Sequence, residues 1–230
     1  MILRRPLFFC ATGLALAFAL CAVCSCASDS APKPAVRSAK VAGLKNLVVV
    51  PFQDMTAIYG PGKEVRSPVS GSLYFTGPVA SGATVFLTGE LQRFLEATSY
   101  NILPYQDAAD ARTQALVDTG SKAPEQALLV ATGQRMGADA VAAGFIYRFE
   151  EREGTSYSVV RPASAAFDLF LIRVADGAVL WSCRFDETQK PLSDNLLDVS
   201  KFMKRHGAWV TVNKLASQGL SDKLATFPQP

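Results

Sequence analysis

Hydrophobic and polar positions change their spacing several times along the chain, and each change predicts an element. Leu47-Val48-Val49-Val50-Pro51-Phe52 is a short, β-branched apolar run with no polar alternation. That is the pattern of a strand buried on both faces. From Ser81 the spacing becomes helical. Val85, Phe86, Leu87, Leu91, Phe94 and Leu95 lie on one side and Glu90, Gln92, Arg93 and Glu96 on the other. Tyr100-Asn101-Ile102-Leu103-Pro104 predicts a short strand, and Asp107 caps a short helix through Val117. Pro124 suits a first helical position, with Glu125 and Gln126 in the first turn and Gly137 as the left-handed stop after Met136. A long strand follows over 139–150 and another over Ser164–Val174. Ala175-Asp176-Gly177 is a tight turn, and Val179–Glu187 returns as the hairpin partner. In that last strand Trp181, Cys183 and Phe185 alternate with Ser182, Arg184 and Asp186, so one face is wet. Two closing helices are expected, over Asn195–His206 and Val212–Leu224, the second capped by Thr211. The order predicts an α/β fold: a mixed sheet with helices packed on it, plus C-terminal helices.

One internal stretch breaks the pattern. Residues 54–82 contain five Gly and three Pro with Ser and Thr between them, and read as a long irregular segment. Compact domains seldom keep such a loop unless it has work to do. Tyr59, Arg66, Tyr74 and Phe75 put aromatic and guanidinium groups on it, the side chains enriched where proteins bind one another. These four are the candidate partner-binding residues. The alternative is a loop that folds back and covers a sheet edge.

The N-terminus carries an address. Arg4 and Arg5 are followed by an uncharged run from Pro6 to Val23, the layout of an export signal. The run approaches the length of a membrane span, so a retained anchor is an alternative, as is an ordinary cleaved signal. Val23-Cys24-Ser25-Cys26 resembles the bacterial lipobox. That resemblance implies cleavage after residue 25 and lipidation of Cys26. Cys21 and Cys24 match the pattern less well, because bulky Leu20 precedes the first and Val23 the second. Ala27 rather than Asp follows Cys26, which in that family goes with delivery to the outer membrane. The expected organisation is a signal peptide (1–25), a Ser/Ala/Pro/Lys-rich tether (26–44) and a periplasmic domain (45–230).

Composition narrows the function classes. With 49% hydrophobic residues the chain can bury a core and is not disordered as a whole. A net charge of +3 provides no strong field for nucleic acid. One His and five Cys disfavour a multi-histidine or cysteine-rich metal site, and no cofactor or metal is expected. Removing residues 1–25 would take away both N-terminal arginines and three of the five cysteines. The domain left would be nearly neutral, with Cys183 its one cysteine beyond the lipid anchor.

Three stretches resemble a known family. Val48-Val49-Val50-Pro51-Phe52-Gln53-Asp54 resembles the first strand of TolB N-terminal-like domains. Gly137-Ala138-Asp139-Ala140-Val141-Ala142-Ala143-Gly144 resembles their strand entry, and Leu171 to Trp181 their hairpin. CsgG-like lipoproteins are among the relatives. The resemblance implies an outer-membrane lipoprotein acting as a non-catalytic envelope assembly or partner-binding module, with envelope proteins as partners. Rings among the CsgG-like relatives make a homo-oligomer an expectation, and a subunit of a secretion apparatus is the alternative. The resemblance brings no catalytic residues.

Other positions carry chemistry of their own. Cys183 with the sole His206 would make a nucleophile–base dyad for a hydrolase; the opposing reading is a small buried hydrophobe between Trp181 and Phe185. Asp168 interrupts an apolar strand, so it needs a partner, and Arg148 or Arg173 is the expected one. Glu150, Glu151 and Glu153 with Arg148 and Arg152 read as a solvated strand end rather than a metal site. Gly60-Pro61-Gly62-Lys63 lacks the spacing and following helix of a phosphate loop. Trp209 and the basic run from Lys201 to Arg205 suit either headgroup contact or packing between helices.

Overall fold

The computed structural model describes residues 43–154, 159–189 and 210–229. The expected export signal, Cys26 and the expected tether as far as residue 42 lie outside these, as do the helix expected over Asn195–His206, His206 itself, the 201–205 run and Trp209.

Five strands form the main path of one mixed sheet, in the order β10 (Val179–Thr188), β9 (Ser164–Arg173), β6 (Ala140–Glu150), β1 (Asn46–Val49), β5 (Asn101–Leu103). β1 runs parallel to both β5 and β6, while β9 is antiparallel to β6 and β10. Two-residue β2 (Gln53–Asp54) continues the line of β1 along β6 after Pro51, which has no N–H to donate to the ladder. Phe52 lies over Gly144, where a Cβ would come within 2.1 Å of the ring. The double-faced burial predicted for β1 is observed. Leu47 and Val49 enter one core, and Val48 and Val50 the other. Asp139 clamps the start of β1 by accepting hydrogen bonds from the backbone N–H of Asn46 (2.8 Å) and Lys45 (2.9 Å), which hold its carboxyl below the usual range.

Helices cover both faces. On one side α2 (Ala83–Glu96) and the C-terminal α5 (Val212–Leu224) bury Leu87, Leu91, Leu95, Leu215 and Leu220 against Phe167, Leu169 and Phe185. On the other side Ala108 of α3 (Tyr105–Thr119) and Leu129 of α4 (Glu125–Met136) join Val141, Phe170 and Ile172. No helix among the described residues is long and apolar enough to cross a membrane.

Boundaries differ from expectation in small ways. α3 begins at Tyr105 directly after Pro104, with Asp107 inside its first turn, and Pro124 caps α4 rather than entering it. Gly137 is left-handed after α4 (φ 66°), and the Thr211 hydroxyl caps α5, as predicted. The larger difference is in 54–82, which is not irregular throughout. It contains a one-turn helix α1 (Met55–Tyr59) and a hairpin of β3 (Glu64–Arg66) and β4 (Leu73–Phe75). Each strand has a single buried residue, too few to print an alternation on the sequence. A smaller hairpin, β7 (Glu153–Gly154) with β8 (Val159–Arg161), follows β6.

Candidate functional site

Backbone and hydroxyl bonds fasten the β3–β4 hairpin in place. Asp54 caps α1 by accepting from the N–H of Thr56 (2.8 Å) and Ala57 (3.0 Å). Thr56 Oγ1 then donates to the carbonyls of Gly77 and Tyr147, joining α1 to the hairpin exit and to β6. Thr76 Oγ1 donates to Gly60 O (2.7 Å) and accepts from Lys63 N (2.9 Å), tying the end of β4 to the chain entering β3. Gly77 N–H donates to Tyr147 O, and Val79 pairs with Phe149 in a parallel bridge.

Alternation on these short strands sorts the candidate residues. Val65 and Tyr74 face inward, and Glu64, Arg66, Leu73 and Phe75 face out. Phe75 is 62% exposed and Leu73 42%, and Tyr59 at the end of α1 is 51% exposed. Arg66 donates to Gly71 O across the turn. Tyr74, grouped with these residues by composition, points the other way and is 2% exposed. The hairpin is thus both a cover and a display.

What it covers is polar. Asp168 on β9 is 1% exposed and accepts from the Tyr147 hydroxyl at 3.1 and 3.2 Å. A β-bulge between Ile146 and Arg148 places Tyr147 there. It adds one residue to β6, so Tyr147 and Arg148 both serve the hairpin face. The Tyr147 ring stacks on Tyr74 (centroids 3.8 Å apart, planes 4° from parallel). Arg184, opposite Asp168 on β10, sits over the Tyr74 ring at 4.3 Å. Ser67 is also buried beside Asp168, where its hydroxyl favours the ionised form. The Tyr74 hydroxyl lies close enough to favour ionisation too, yet it is buried without a hydrogen bond of normal geometry.

Burial dominates this balance and pushes the Asp168 carboxyl up to about 7, against the opposing effects of Ser67, Tyr147, Tyr74 and Arg184. Burial likewise raises both phenols, so Tyr74 and Tyr147 stay neutral.

The partners expected for Asp168 are both engaged elsewhere. Arg148 reaches across β9 at Ala166, whose small side chain leaves room, to Asp186 (2.7 Å), and also donates to Phe75 O. Arg173 pairs with Asp176 in the β9–β10 turn. Asp168 is therefore held by a tyrosine hydroxyl rather than a salt bridge. Sequence reasoning missed Tyr147, Ser67 and Arg184 because a bulge, a turn and a cross-strand register bring them together.

The remaining candidates separate. Cys183 is half-buried, and burial pushes its thiol up to about 12. Glu150 and Glu153 both pair with Arg161, and Glu151 accepts from Val212 N at the start of α5. Among the described residues no three His, Cys, Asp or Glu side chains gather as a metal site would require. Gly60-Pro61-Gly62-Lys63 is the link from α1 to β3 and precedes no helix. A shallow groove of about 310 Å³ runs between α2 and α5, lined by Glu90, Phe94, Ser217 and Leu220 among others.

No family model and no curated protein matches the chain. Solved structures with partial likeness exist. The PelC dodecamer from Paraburkholderia phytofirmans is 13% identical, with 82% of this chain and 90% of that one covered and a TM-score of 0.44. Lipoprotein GNA1162 from Neisseria meningitidis is 15% identical over 71% and 98%, with a TM-score of 0.38. The LpoB C-terminal domain from Salmonella enterica is 16% identical over 63% and 83%, with a TM-score of 0.36. At these identities and scores the likeness names no family and transfers no function.

Proposed function

We propose that this protein is a lipid-anchored module of the bacterial envelope, held to the periplasmic face of the outer membrane through Cys26. Its work is to bind an envelope protein rather than to catalyse a reaction. The observation that carries the reading is the two-sided hairpin. One face is sealed on the sheet through Val65 and Tyr74, while the other presents Leu73 and Phe75 beside Arg66. Exposed aromatic and aliphatic side chains on a fastened scaffold can bind without a large ordering cost. Tyr59 extends the display, because Gly60 is bonded directly to Thr76, the residue after Phe75. A thiol held near 12 is protonated at neutral pH, which speaks against Cys183 as a hydrolytic nucleophile.

A photo-crosslinker at Phe75, in cells making the full chain, tests the binding face. The expected result is a discrete adduct with one envelope protein, lost in Arg66→Ala. A probe at Val117, exposed on α3, should not give that adduct. The same adduct from both positions, or none from position 75, would overturn the reading. The anchor is tested separately by acyl labelling, which Cys26→Ser should abolish.

A further inference from the structure

We infer that Asp168 is a proton-operated latch for the β3–β4 hairpin: its neutral carboxyl holds the hairpin down on the sheet, and its ionised carboxylate lets the hairpin lift. The inference rests on reading the hairpin as the partner-binding face, and concerns how that face is regulated.

The geometry makes the hairpin the part that moves. Asp168 lies on β9, which is paired along both edges by β6 and β10, so its backbone is fixed. Water can reach a carboxyl so deeply buried only if its cover shifts. That cover has two three-residue strands, and its inward side chains are Val65 and Tyr74.

The groups facing Asp168 are those of every element packed around it. They are Tyr147 from β6, Tyr74 from β4, Ser67 from the β3–β4 turn and Arg184 from β10. In the neutral state the carboxyl accepts from Tyr147 and has an O–H to give. The Tyr74 oxygen beside it is the buried group that needs such a donor. In the ionised state a full charge sits where water is excluded, and the hydroxyls of Ser67, Tyr147 and Tyr74 offset that cost only in part. Arg184 does not neutralise it well, because its guanidinium lies over the Tyr74 ring and is bound to Asp186 at 3.1 Å. Asp186 also holds Arg148. Lifting the hairpin would hydrate the carboxylate and bring Tyr74 out next to Phe75.

The closed state holds its proton up to about pH 7, whereas an exposed aspartate releases it near 3.8. Stabilisation of the closed state is therefore complete below the ordinary value and is lost as pH rises through about 7. Between the two values each opening event releases one proton. The opening equilibrium then rises about tenfold per pH unit and levels off above the upper value.

Hydrogen exchange of the full chain from pH 5 to 9 tests this, with hairpin amides normalised to those of α2 in the same molecule. Protection over 64–76 should fall about tenfold per pH unit between pH 5 and 7 and then flatten. Asp168→Asn, which cannot ionise, should give a flat profile. In Tyr147→Phe, which keeps the ring stack but loses the hydroxyl, the plateau should move to higher pH. A flat wild-type profile overturns the latch whatever the variants do, and so does an unchanged slope in Asp168→Asn. Crosslinking from Phe75 reports separately on binding. An adduct with a flat exchange profile removes the latch and leaves the binding reading. The predicted slope without an adduct does the reverse.

Discussion

On one face of the sheet, α2 and α5 lay leucines against Phe167, Leu169 and Phe185, with the Cys183 thiol packed at the edge of this apolar core and Glu90 bonded to Ser217 in the groove between the two helices. On the other, at the hairpin end, a carboxyl, two phenols and a serine are packed between the sheet and a hairpin whose strands have three residues each. The first arrangement is held by dispersion and the hydrophobic effect, which do not depend on pH. The second is held by hydrogen bonds whose donors and acceptors change with one proton. The difference separates two jobs. The helical face supplies a rigid body, and the hairpin face keeps a polar core that a modest change in conditions can unsettle.

Three substitutions bear on that contrast. Leu91→Ala opens a cavity under α2 and should cost about 3 kcal/mol in denaturant unfolding. The loss should be equal at pH 5 and pH 8; a strong pH dependence would mean that the apolar face is coupled to the polar one. Tyr147→Phe removes the hydroxyl bonded to Asp168 and should cost about 1 kcal/mol at pH 5. The cost should be larger at pH 8, because that bond favours the ionised carboxylate and bonds to a charged acceptor are the stronger ones. An equal cost at both pH values would show that Asp168 does not change charge in the folded protein. Phe75→Ala should change stability by less than about 0.5 kcal/mol, since the ring is 62% exposed, while abolishing capture of the partner. A large stability loss would make Phe75 structural and break the division between the two faces of the hairpin.

Some of this was legible in the residues. The 47–50 run, the Gly137 stop, the Thr211 cap and the Asp176-Gly177 turn each act through neighbours in the chain, and each was found where predicted. Asp168 was also visible, as one acid inside an apolar strand. Its partner was not. Arg148 and Arg173 were reasonable on charge alone, but register sends them to Asp186 and Asp176. Arg184, which the cross-strand register sets opposite Asp168, was not among the partners expected. The irregularity between Val179 and Trp181, which sets the pairing, could not be read from composition. Phe75 and Tyr74, adjacent and similar, could not be told apart as display and core. On a three-residue strand that choice depends on which face meets the sheet.

By itself, the sequence determined the class of fold, the order of its main elements and the lipobox-like stretch at Cys26. Those features depend on local spacing, turn chemistry and short motifs, which any stretch of chain carries with it. The tertiary structure alone decided that the Gly/Pro-rich segment is a cover, that Tyr147 holds Asp168, and that a carboxyl is sealed beneath the display face. Those depend on a bulge, a cross-strand register and the exclusion of water, and none of the three exists until distant strands have packed.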